Sequence, residues 1–154
     1  MHASSRTQVA HLLCCHAVVN RFGHYYQLVR EVRTRDDAAA AALSYSFHGM
    51  PGHLVAIQDA AENELVRSLL PPGKTAWIDG SDNDIENYWV FTQGALKDVE
   101  ITYFNWDEYA PDGNEDENAL ILYQATGTWE DVAIGSSYWF IIEYECSGCS
   151  ASKP

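Results

Sequence analysis

Three groups of carboxylates carry the chemistry this chain can do. Asp112, Glu115 and Asp116 lie in the polar stretch Asp107–Asn118 (DEYAPDGNEDEN), Asp82 and Glu86 stand four apart in GSDNDIEN, and Glu130 and Asp131 follow Trp129. Carboxylates crowded into one loop repel each other unless they are protonated or share a cation. A hard cation such as calcium takes about six to eight oxygen ligands from carboxylates, amides, carbonyls and water. The EF-hand arrangement is absent, because DEYAPDGNEDEN has no glycine at its sixth position and no glutamate at its twelfth. A calcium site here is therefore assembled from distant segments. The competing reading of each group is a solvated acidic surface that keeps the protein soluble.

Other chemistries have weaker support. His48 and His53 flank GMPG without a third ligand at a recognisable spacing. No serine or cysteine sits in a nucleophile motif such as G-x-S-x-G. Carboxylate pairs serve glycoside hydrolysis, but acids this crowded and wet seldom hold the raised pKa of a general acid. The chain reads as a binding protein and not as an enzyme. Its four cysteines, Cys14, Cys15, Cys146 and Cys149, lie at the two ends. A disulfide between the ends, a zinc site and free thiols all remain open on spacing alone.

The elements that must position these acids follow from pattern. Gly23–Val32 alternates and is β-rich, so it predicts a first strand. Thr34–Tyr45 predicts a helix capped by Thr34, and Asp59–Leu70 a second, capped by Asp59, with Glu62 at the capping-box position and Pro71–Pro72 as the stop. Gly49–Gly52 breaks the chain between them, and His53–Ile57 is a short apolar segment. Strands are predicted over Thr75–Asp79, Tyr88–Thr92, Ile101–Trp106, Ala119–Tyr123, Thr128–Val132 and Tyr138–Glu145. Helices early and short strands late give an α+β pattern. The long polar stretch before Ala119 predicts an ordered functional loop.

The chain has 154 residues, enough for one domain, and a formal net charge of −13. Between Ala76 and Cys146 the sole basic residue is Lys97. Such a surface repels phosphate backbones, so no nucleic-acid partner is expected, while cations are favoured. No apolar run is long enough for a membrane span. Val9–Val19 is short and resembles a degenerate signal-peptide core. Residues 1–18 read as a peripheral segment, 19–146 as the domain and 147–154 as a flexible tail.

The motifs GHYYQLV, GHLVAI with AEN in the following helix, WIDGSD, FNW, GNED, TWED and FIIEYE occur in that order from Gly23 to Glu145. Taken together they resemble the C-type lectin-like family. The resemblance implies an α+β fold with two helices flanking small antiparallel sheets, paired chain ends and a long ligand-binding loop region. Paired ends would bring Cys14 or Cys15 beside Cys146 or Cys149, which favours the disulfide reading.

The resemblance also implies calcium. Asp82, Glu86, Glu115 and Asp116 match the site that orders the loops. Asp112, Glu115, Glu130 and Asp131 match the site whose ion binds sugar hydroxyls, with Pro111 expected to be cis. Ala110 places a methyl where that motif carries an oxygen ligand, and Glu130–Asp131 stands where Asn-Asp is usual. The family's two core disulfides have no cysteines here, and Ile142 takes one such position. Packing of Leu28, Leu54, Ile57, Ile78, Trp89, Trp106, Leu120, Trp129 and Ile141 is expected to hold the fold instead. The implied function is calcium-dependent binding of a glycan or glycoprotein, in an extracellular or cell-surface setting. A module that binds a protein partner and has lost the sugar is the alternative.

Overall fold

A computed structural model of the chain describes residues 19–146 apart from Phe22 and Asn114. The signal-like segment, the tail, and Cys14, Cys15 and Cys149 lie outside the described residues. Cys146 is disulfide-bonded, which removes the free-thiol reading at that position.

Eight strands and two α-helices occur among the described residues. They are β1 (Val19–Arg21), β2 (His24–Thr34), α1 (Arg35–Ser44), β3 (Ser46–Phe47), β4 (Met50–Leu54), α2 (Ala60–Leu69), β5 (Thr75–Ile78), β6 (Ala119–Tyr123), β7 (Trp129–Val132) and β8 (Ser137–Tyr144). The sheet runs β1-β2-β8-β5-β6-β7, with β4 also on β8 and β3 on β4. The strands form one connected sheet, antiparallel between its named strands except for the parallel pairing of β5 with β8. β8 is its axis: it pairs antiparallel with β2, from Tyr25↔Tyr144 to Thr34↔Ser137, and so joins the N-terminal β1–β2 hairpin to the last strand of the domain.

Both helices start as their caps dictate. Thr34 accepts the Asp37 N–H at 3.4 Å, and Asp59 accepts the Glu62 N–H at 2.8 Å. The Glu62 carboxylate turns inward, where it takes the Gln58 N–H at 2.8 Å and the Tyr26 hydroxyl at 2.7 Å. Helix α1 buries Ala38, Ala39 and Ala42, small side chains that let it lie close on the sheet. Helix α2 places Val66 in the core and Leu65 and Leu69 against it.

The sequence-predicted core is buried, with Leu54, Ile57, Ile78, Leu120, Trp129 and Ile141 essentially inaccessible; Trp106 is partly buried against it. Ile142 fills its cysteine position as a fully buried side chain.

Two predicted strands do not form. Tyr88–Thr92 contributes isolated bridges at Val90 to Ser81 and Glu100, and Ile101–Trp106 contributes one bridge from Trp106 to Trp129. Their β-rich residues serve a different purpose: Trp89, Phe91 and Ile101 are buried as anchors of an irregular excursion between β5 and β6. The GMPG segment opens in the tight turn at His48–Gly49, as expected, but its remaining residues enter β4, with Phe47 paired to Met50 across the hairpin.

Candidate functional site

The excursion is held by aromatic packing and by side-chain bonds to its backbone. Trp106 stacks on Phe104 with centroids 5.2 Å apart and meets Trp89 edge-on at 5.6 Å. Trp129 N–H donates to the Asn105 carbonyl at 2.8 Å, and Asp107 N–H to the Trp129 carbonyl at 2.9 Å. The Trp129 indole N–H reaches Asn63 Oδ1 at 2.7 Å, and the Asn63 and Asn105 amides both donate to the Gly127 carbonyl. Helix α2, the FNW segment and the β6–β7 hairpin are thereby locked together. Buried Asp79, just past β5, takes the N–H groups of Thr92 and Gln93 at 2.9 and 3.1 Å and lies 3.5 Å from Arg35. Burial pushes its carboxyl pKa up against these bonds.

This frame delivers the acids. Asp131 lies on β7 opposite Leu120 and is buried, with Glu130 half-buried beside it. Its two oxygens accept the N–H groups of Asp112 and Gly113 at 3.2 and 2.8 Å, which docks the acidic loop on the hairpin. The Ala110–Pro111 bond is cis, as the motif predicts. Carboxylate oxygens of Asp112, Glu117 and Asp131 all lie within 4.8 Å of one another. Glu117 is the member that no sequence motif singles out, while Glu115, predicted for this group, is outside it. Its one signal is position: Glu117 stands two residues before β6, where the returning chain crosses the hairpin. Gly113 leaves the space between Asp131 and Glu117, because a Cβ there would come within 2.6 Å of Glu117 Cβ. The Glu117 and Glu130 carboxyls are raised by desolvation and by each other's acidic neighbours, among them Asp112 and Asp131.

The upstream group lies close by. Asp82 is buried; its Oδ2 takes the Asn87 N–H at 2.9 Å, while Oδ1 is buried without a hydrogen-bond partner. Desolvation and the Asp131 charge raise its carboxyl. Glu86 is exposed and is raised by desolvation and then by Asp82, Glu115 and Asp131. Six of the seven predicted acids, Asp82, Glu86, Asp112, Glu115, Glu130 and Asp131, thus share one electrostatic neighbourhood. Asp116 is exposed and acts on Glu117. None of those six forms an ion pair with a lysine or arginine among the described residues. An orphaned buried oxygen, a glycine that lets the loop come close to Asp131 and Glu117, and carboxylates without a lysine or arginine partner among the described residues fit an oxygen-liganded divalent cation such as calcium.

The family model described as the lectin C-type domain matches residues 41–143. The chain belongs to the C-type lectin domain family. This lectin domain is 28% identical to a mannose-binding protein of Gallus gallus over 89 residues, which is 58% of this chain and 33% of that protein. It is 33% identical to C-type lectin domain family 3 member A of Bos taurus over 98 residues, 60% of this chain and 48% of that protein. The lectin domain thus spans about a third to a half of the length of these relatives. Its fold is that of the C-type lectin CEL-I from Cucumaria echinata, with a TM-score of 0.73 at 21% identity over 84% of this chain and 96% of that one.

Proposed function

We propose that this lectin domain binds a glycan or glycoprotein in a calcium-dependent way, as a binding module and not an enzyme. The observation that carries this reading is the convergence of Asp112 and Glu117 of the acidic loop with Asp131 of β7 into one carboxylate group. In this reading Asp112, Glu117 and Asp131 hold the ligand-binding ion, with Glu130 and Glu115 adjacent. Asp82, Glu86, Glu115 and Asp116 hold the ion that orders the loops. A bound calcium offers open coordination positions to two neighbouring sugar hydroxyls. The acidic ligands accept hydrogen bonds from those same hydroxyls, and Asp131 keeps Asp112 and Gly113 in register. The disulfide at Cys146 supports an extracellular or cell-surface setting, since such bonds persist in oxidising compartments. Among the described residues no helix is long and apolar enough to cross a membrane.

A glycan array run with calcium and with excess chelator tests this. Sugar binding that disappears on chelation, and in Asp131→Asn, is the expected result; a folded protein that binds no sugar with calcium present overturns it. The second reading, a calcium-stabilised protein-binding or adhesion module, is favoured by Ala110 and by the neighbouring Tyr109, whose side chain is 76% exposed. Ala110→Glu separates the two. It restores an oxygen ligand and should tighten sugar binding by about 1–3 kcal/mol under the first reading. Under the second it leaves the array silent.

A further inference from the structure

Away from the acidic loop, four titratable side chains gather where β2, β8 and β4 run side by side. His24 opens β2, Glu143 lies on β8, Glu145 follows it, and His53 on β4 is the direct cross-strand partner of Glu143. His24 Nδ1 meets Glu143 Oε1 at 2.5 Å, and Glu143 Oε2 accepts the Ala56 N–H at 3.0 Å. Glu145 Oε1 accepts the Ala95 N–H at 2.7 Å. The His24 nitrogen and oxygens of Glu143 and Glu145 lie within 4.8 Å of one another.

His53 adds the observation that points to a ligand. It is 3% exposed, and its Nδ1 stands 2.7 Å from the Leu54 carbonyl. A carbonyl only accepts, so Nδ1 carries the proton and the neutral ring presents its lone pair at Nε2. That nitrogen is buried and makes no hydrogen bond, although it lies 3.1 Å from Glu145 Oε1. Two lone-pair atoms facing each other at this distance call for a cation, either a proton on the ring or a metal. Donation of the second ring N–H to a carbonyl is the usual arrangement of a metal-bound histidine. Ligand atoms about 2.0–2.1 Å from a tetrahedral zinc ion stand roughly 3.3 Å apart, close to the 3.1 Å between His53 Nε2 and Glu145 Oε1, whereas His24 Nδ1 and Glu143 Oε1, at 2.5 Å, share a proton in the metal-free protein and must part to take an ion. The surroundings leave space: a cavity of about 310 Å³, lined in part by Leu43, Pro51, Gly94 and Ala95, opens onto His53 and Glu145. A Cβ on Gly94 would come within 2.7 Å of His53 Nε2.

We propose a site for a divalent transition ion of the zinc class centred on Glu145, which links the group His24, Glu143 and Glu145, whose ligand atoms lie within 4.8 Å of one another, to His53, whose Nε2 lies 3.1 Å from Glu145 Oε1 but outside that group. Two imidazoles and two carboxylates suit such an ion better than calcium, which takes oxygen ligands. The site is separate from the acidic loop and does not depend on the sugar-binding reading.

The test is calorimetric titration of the chelator-stripped full chain with ZnCl2 in excess CaCl2. Wild type should bind zinc, and Glu145→Gln and His53→Gln should each weaken binding by roughly 10- to 100-fold or more. Glu64→Gln, on the exposed face of α2, should leave it unchanged. Zinc affinity that is the same in the Glu145 and His53 variants comes from elsewhere in the chain and overturns the proposal. A second readout needs no variant. In wild-type protein, the imidazole ¹⁵N resonances of His24 and His53 should move to metal-bound positions on zinc addition. Resonances that stay in place overturn the site and leave the histidines as protonated partners of the two glutamates.

Discussion

In the metal-free protein His53 and Glu145 form an ion pair whose pH dependence has a definite sign. Burial opposes the charge on His53, but Glu145 and Glu143 outweigh it and push the imidazole from its ordinary 6.5 to about 9. The His53 contact lowers Glu145 from 4.5 to about 2, against its own desolvation. The His53 contribution to stability is complete below pH 6.5 and is lost as pH rises through about 9. The Glu145 contribution is complete above pH 4.5 and is lost as pH falls through about 2. Chemical denaturation in chelator should therefore show wild type losing stability relative to His53→Gln between pH 6.5 and 9. A difference between the two that is flat across that window contradicts the assignment.

At the scale of elements, the two helices rely on their caps to different degrees. Asp59 holds the Glu62 N–H at 2.8 Å and also pairs with Arg21 at 3.3 Å, whereas Thr34 holds the Asp37 N–H at 3.4 Å. Helix α1 has three buried alanines seated on the sheet, so packing fixes it even with a long cap bond. Asp59→Ala should cost about 1 kcal/mol or more and Thr34→Ala clearly less, as read from urea midpoints at constant m-value. Equal losses would mean that cap geometry does not govern these helix ends. The same logic explains the two missing strands. Tyr88–Thr92 and Ile101–Trp106 have strand composition, but their aromatic residues are committed to anchoring the excursion. Val90 and Trp106 make single bridges, and the rest of those segments finds no continuous ladder.

For the whole molecule, the acidic group is a destabilising concentration of charge that a bound cation would relieve. Calcium that binds only the folded state stabilises it by about 2.7 kcal/mol per site at a hundred times Kd, which raises Tm by on the order of 10 °C in a domain of this size. Scanning calorimetry should show this rise with calcium, its reversal by chelator, and its reduction in Asp131→Asn. A Tm indifferent to calcium in the wild type would sink the proposed cation site. Monovalent salt, which only screens charge, should give a smaller rise at equal ionic strength.

Local residue patterns were enough to specify both helices and their caps, most of the strands, the buried apolar set and the existence of an acidic loop. Each of these depends on neighbours within a few positions: a cap and its third residue, a period along a strand, a run without aliphatic residues. The lectin-like order of motifs extended this to the pairing of β2 with β8 and to Asp112 and Asp131 as candidates for the acidic group. No local pattern distinguishes Glu117 from Glu115, because both are glutamates in one polar run. Their separation arises only when the loop folds back and its Asp112 and Gly113 N–H groups dock on Asp131. The meeting of His24 with Glu143, 119 residues away, is equally a product of strand register. Which carboxylates share a cation is set by distances between segments, and those distances come into being with the sheet.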